Sequence, residues 1–106
     1  MAKRDYSGIV HLESGDKAVA MMIHGTSDSR FILVRGVPSN KESRIDEYLW
    51  ADVKQNGQPV VLSVEQNPVV IDIPGTYRFR NEGFEDEQAL IDLTVYGRKL
   101  EKQSYV

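Results

Sequence analysis

Asn67 to Arg80 reads NPVVIDIPGTYRFR, and Gln88 to Gly97 follows as QALIDLTVYG. In the first stretch Val69, Ile71 and Ile73 alternate with Val70 and Asp72, the two-residue period of an extended strand. Pro74-Gly75 breaks the run, because proline fixes φ and lacks a donor while glycine accepts turn geometry. Alternation then resumes, with Tyr77 and Phe79 on one side and Thr76, Arg78 and Arg80 on the other. Ala89, Ile91, Leu93 and Val95 repeat the pattern against Leu90, Asp92, Thr94 and Tyr96. Strands with one apolar face each need a second layer to cover them. The expected fold class is therefore all-β, an antiparallel β-sandwich or jelly-roll-like small barrel of about seven or eight strands.

Outward from that stretch, the same two-residue period recurs between turn signals. DYSGIVHL (5–12) reads as a first strand and ESGD (13–16) as a turn. Lys17 to His24 is apolar on both faces, with Val19, Met21 and Ile23 on one and Ala18, Ala20 and Met22 on the other. Such a strand is either covered on both sides or placed at a subunit contact. GTSDS (25–29) turns the chain into RFILVR (30–35), and GVPSNKESR (36–44) is a link. DEYLWADV (46–53) reads as a strand whose core face carries Leu49, Ala51 and Val53. Asn56-Gly57 suits a type I′ hairpin turn, with VVLSV (60–64) pairing back. Residues 46–80 then read as a meander with 88–97 as a further neighbour. The expected organisation is a short N-terminal arm (1–4), one β domain (5–97) and a polar C-terminal tail (98–106) suited to be an assembly arm.

A chain of 106 residues supports one modest core, and 41% apolar with 27% charged residues is the balance of a folded domain. The formal net charge of -3 provides no general drive toward nucleic acid or anionic lipid. With no cysteine, disulfides and thiolate metal sites are excluded. The first residues lack an apolar leader, and AVAMMI (18–23) is too short to span a bilayer as a helix. No membrane association is expected, and no cofactor.

No catalytic constellation is legible, and the chain is expected not to be an enzyme. The two histidines, His11 and His24, would approach each other if the first two strands formed a hairpin across ESGD, but no spacing enforces a coordination polyhedron. No serine has a nucleophile-elbow setting. Asp72 and Asp92 would lie on adjacent polar faces, a solvated ladder bridged by Arg78 or Arg80 rather than a dyad. NEGFEDE (81–87) is an acidic loop presenting Phe84. Arg78 and Arg80 alternate with Tyr77 and Phe79, so within that strand rings and cations face opposite sides and form no nucleic-acid stacking platform. Tyr48 and Trp50 share one strand face, which reads as core, as a protein interface or as a glycan-binding surface. Candidate contact residues are thus Tyr48, Trp50, Phe84, Arg78 and Arg80, with Leu100, Tyr105 and Val106 in the tail.

Val69, Ile71, Pro74, Gly75, Tyr77 and Phe79, in IDIPGTYRFR with the flanking NPVV and ALIDLTVYG, carry a resemblance to small all-β bacteriophage virion proteins. These are modules that decorate capsids or build head-fibre and tail parts. The resemblance implies a non-enzymatic structural protein, a homo-oligomer packed against other virion proteins, made in the host cytoplasm and resident in the virion. A carbohydrate-binding module using the Tyr48 and Trp50 face is the alternative.

Overall fold

The computed structural model describes residues 6–26, 28–40, 42, 44, 47–82 and 90–97, and the backbone of 102–105. The chain is all-β, with eleven strands among the described residues. The first sheet holds β1 (Val10–Leu12), β3 (Phe31–Val37), β4 (Leu49–Asp52), β7 (Val61–Leu62) and β9 (Gly75–Asn81). Its order is β1-β9-β3-β4, with β7 beside β4 on the same edge of β3. The second sheet orders β11 (Lys102–Tyr105), β10 (Leu90–Tyr96), β2 (Lys17–His24) and β8 (Val69–Ile71) as β11-β10-β2-β8. Every pairing is antiparallel, and neither sheet closes on itself.

One apolar core lies between these sheets. The first supplies Val10, Leu12, Phe31, Leu33, Leu62, Tyr77 and Phe79; the second supplies Ala18, Ala20, Ile71, Ile91, Leu93 and Val95. Alternation explains the membership, since each contributes every second residue of its strand. Burying each large member contributes about 1.5–3 kcal/mol, so Phe31 and Phe79, both at 0% exposure, anchor the fold.

The Asn56-Gly57 hairpin is present, joining β5 (Lys54–Gln55) to β6 (Gln58–Pro59). Asn56 and Gly57 have φ of 54° and 79°, the left-handed pair a type I′ turn requires. This hairpin interrupts a longer strand. Val53 N donates to Leu33 O (2.9 Å) and Leu33 N to Val60 O (3.0 Å), so β4 and β7 continue each other along β3.

Several connections differ from the sequence reading. Residues 46–80 are not a meander, because β8 crosses to the second sheet and β9 returns to lie between β1 and β3. β1 and β2 form no hairpin; β1 pairs with β9, and β2 with β10 and β8. Ile73 follows the end of β8 and is 63% exposed rather than facing the core with Ile71. At the opposite end of β8 Asn67 extends the β2–β8 ladder: its Oδ1 accepts from Met22 N (3.0 Å) and its Nδ2 donates to Met22 O (3.1 Å). Leu49 is 68% exposed and Ala51 is exposed too, although both project from the core side of their sheet. That side carries Arg35 and Val37 as their cross-strand partners, also exposed, so the far end of the β3–β4 pair lies beyond the cover of the second sheet. Residues 102–105, read as part of a polar tail, pair with β10 as an edge strand.

Candidate functional site

The outward face of the first sheet gathers the polar and aromatic side chains that its strands do not commit to the core. Opposite the buried Tyr77 and Phe79, β9 presents Thr76, Arg78 and Arg80. Register places Thr76, Gly36 and Trp50 in one row across β9, β3 and β4, and Arg78, Val34 and Asp52 in the next. Gly36 matters because a Cβ there would lie 2.9 Å from Trp50 Cη2 and 3.0 Å from both Cζ2 and Cζ3. Near-equal approach to three adjacent ring carbons means that the indole lies face-down on the Gly36 backbone.

The Arg78 guanidinium carbon stands 3.9 Å from the centroid of that Trp50 ring and 3.6 Å from the centroid of Tyr6. Tyr48 extends the group, its ring centroid 6.3 Å from that of Trp50 with the planes inclined by 33°. Tyr6 reaches Arg78 because the chain before β1 also docks on β9. Ser7 N donates to Phe79 O and Phe79 N donates to Ser7 Oγ, both at 2.8 Å, and Tyr6 forms a bridge with Arg80. Rings and cations therefore do meet on one face. The rings come from β4 and the N-terminal segment rather than from β9 itself.

The two arginines differ in their partners. Arg80 pairs with Asp52 at 3.0 Å and with Glu82. Partial burial alone would lower its pKa, but the Glu82 hydrogen bond and the Asp52 and Glu82 charges prevail and raise it above its usual value. Arg78 forms no ion pair among the described residues, and its Nε is buried with no hydrogen-bond partner. Each ring contact contributes about 0.5–2 kcal/mol. An orphaned buried donor costs about 1–3 kcal/mol. As a fastener alone the stack comes close to cancelling itself.

The remaining candidates are dispersed. His11 Nδ1 lies 2.8 Å from Thr76 Oγ1 in the first sheet, whereas His24 ends β2 in the second. Among the described residues no three His, Asp or Glu side chains are grouped as metal ligands. Asp72 and Asp92 are not on adjacent strands, since β2 separates β8 from β10; Asp92 instead accepts from Thr94 Oγ1 (3.0 Å). Arg80 bridges Asp52 and Glu82 rather than this pair. Phe84, Leu100 and Val106 lie outside the described residues, and Tyr105 is described only as backbone in β11.

A groove of about 520 Å³ runs between the hairpin and β8, lined by Leu33, Val53, Val60, Pro68, Ile71 and Tyr77 among others. Within it the Tyr77 hydroxyl donates to Ile73 O at 2.9 Å. Burial pushes the Tyr77 pKa up, opposed by the Arg35 charge and assisted by Asp72.

The outward face of the second sheet mixes Lys17, Asp92 and Thr94 with large exposed apolar side chains. Met21 (47% exposed) and Val70 (53%) stand on it, with Tyr96 at one end. Ile23 and Leu90 are exposed at the other end, where the β2–β10 register shifts. The sequence signal for this face was the double apolarity of Lys17 to His24; among the described residues Ala18 and Ala20 are buried, while Met21 and Ile23 on the other side are exposed. Signals for the stack were weaker. Trp50 and Arg78 were legible as outward residues, while Tyr6 and Gly36 became meaningful only once distant strands were paired.

Comparison with family models, with characterised proteins and with solved structures returns no match. No helix among the described residues is long and apolar enough to cross a membrane.

Proposed function

We propose that this chain is a non-enzymatic structural subunit that assembles with copies of itself and with neighbouring proteins through the surfaces of a two-layered, sandwich-type β domain. The observation that carries the reading is the outward face of the second sheet, where Met21, Val70, Leu90 and Tyr96 leave large apolar side chains in water. Exposed apolar surface of this kind marks interaction sites, and copies related by symmetry cover it at low cost. Open strand edges at β8 and β4 invite pairing unless a neighbour covers them. The finer assignment, a bacteriophage decoration, adaptor or tail component residing in the virion, rests on the resemblance of NPVVIDIPGTYRFR and ALIDLTVYG. A glycan-stacking role is disfavoured, because Trp50 has Gly36 against one part of its ring and the Arg78 guanidinium over it.

Size-exclusion chromatography with light scattering tests the reading. A multiple of the 12.0 kDa chain mass is expected at micromolar concentration, reverting to monomer in Met21→Lys with unchanged circular dichroism. A wild-type chain that stays monomeric throughout that range, alone and with purified virion proteins, overturns it.

A further inference from the structure

We infer that the Tyr6–Arg78–Trp50 stack is a receptor for a carboxylate, the two-oxygen planar anion of an acidic side chain or a chain terminus. This goes beyond assembly through the second sheet, since the stack lies on the opposite sheet and uses different chemistry.

Four observations support it. Arg78 forms no ion pair among the described residues, and Asp52 and Glu82 are both committed to Arg80. Its buried Nε–H lacks an acceptor, the one such side-chain atom among the described residues, and an orphaned donor points to a missing acceptor. The walls are prepared in advance: the absence of a side chain at Gly36 seats the indole, and the bonds between Ser7 and Phe79 fix the backbone that carries Tyr6. Finally, both rings approach within 4 Å of the guanidinium carbon, at 3.6 and 3.9 Å, and so narrow the approach to the fork. A carboxylate is planar and can form two parallel bonds to the fork within the guanidinium plane. A tetrahedral phosphate is bulkier and fits the narrowed approach between two rings less well than a planar carboxylate. Tyr6, at 44% exposure, is the solvent-facing wall of the site.

Among the described residues, the charged and titratable groups around the site include Arg80, Asp52, Glu82 and His11. The first three form a closed ion-pair cluster, and His11 is bonded to Thr76. None supplies the acceptor that Arg78 lacks.

Trp50 is the sole tryptophan, so its emission reports on the site directly. The experiment titrates the full chain with sodium acetate, sodium phosphate and sodium chloride at matched ionic strength and neutral pH. Trp50 emission and the Arg78 Nε–H resonance are followed, the latter assigned by its loss in Arg78→Lys. A saturable response to acetate is expected, with phosphate at least about tenfold weaker and chloride giving only an unsaturating drift. In Arg78→Lys, which keeps the charge and loses the fork, acetate affinity falls at least about tenfold while circular dichroism is unchanged. Arg78→Met should abolish the response, and Arg78→Lys keeps the test decisive if the methionine variant does not fold. No saturable acetate response, phosphate matching acetate, or an unaltered response in Arg78→Lys overturns the inference. Each outcome is independent of whether the chain self-associates.

Discussion

Gly36→Ala is the most direct probe of how the outward stack is built. Gly36 is buried within β3 and its φ is not positive, so an alanine meets no backbone strain. Replacing glycine under those conditions ordinarily stabilises by about 0.4–1 kcal/mol, by reducing the freedom of the unfolded chain. Here the new methyl would sit 2.9–3.0 Å from three indole carbons of Trp50, closer than van der Waals contact permits. Overpacking of this kind costs about 1–3 kcal/mol. The clash prevails, and a net loss of about 0.5–2 kcal/mol is expected. Urea denaturation followed by circular dichroism measures it, and a shift in Trp50 emission should accompany it as the indole is lifted. The decisive control is the same substitution in a Trp50→Ala background. With the ring gone the penalty disappears, and alanine at 36 should become stabilising, a coupling of at least about 1 kcal/mol. If Gly36→Ala stabilises the wild-type chain and leaves its emission unchanged, the indole does not rest on this backbone and the account of the stack fails.

Two further outcomes follow from particular bonds. Asn67→Ala removes both hydrogen bonds to Met22 and should cost about 1–2 kcal/mol in urea denaturation, with faster hydrogen exchange at the Met22 amide. Asn67→Asp should not restore that stability, because it keeps the acceptor for Met22 N but loses the donor to Met22 O. Tyr77 supplies a pH dependence: its raised pKa means that the folded state holds the proton after the unfolded chain has released it. Its contribution is fully present below the ordinary value of 10.0 and is lost as pH rises through the raised value. The stability advantage of wild type over Tyr77→Phe, measured by denaturant titration, should therefore hold at neutral pH and shrink above pH 10.0.

Much of the strand content was legible because it depends on local alternation. Val10 and Leu12, Tyr77 and Phe79, and Ile91, Leu93 and Val95 all face the core as the two-residue period requires. The Asn56-Gly57 turn was legible because its demand for left-handed geometry is local too. What escaped was any property set by a distant partner. Leu49 and Ala51 have the correct parity for the core, yet nothing near them records how far the opposite sheet extends. Gly36 read as the first residue of a link, because its function is defined by Trp50, which reaches it only across the β3–β4 pairing. Arg78 was expected to be isolated from rings because its own strand offers none on that side; Tyr6 and Trp50 reach it from the neighbouring rows, opposite Arg80 and Thr76.

The interleaved order of the strands also constrains how the protein is made. β1 finds its neighbour only in β9, so Val10 to Leu12 waits for Gly75 to Tyr77 to be synthesised. β2 can pair with β8 once Val69 to Ile71 has emerged, but its longer partner β10, whose register runs from Leu90 to Tyr96, comes last. A nascent chain carries half of each sheet out of the ribosome with its apolar side uncovered, and no shorter folded unit is available along the way. Polypeptides cut off before about residue 96 should therefore be sticky rather than merely less stable. Chaperone demand during synthesis should fall sharply once that last long strand has emerged.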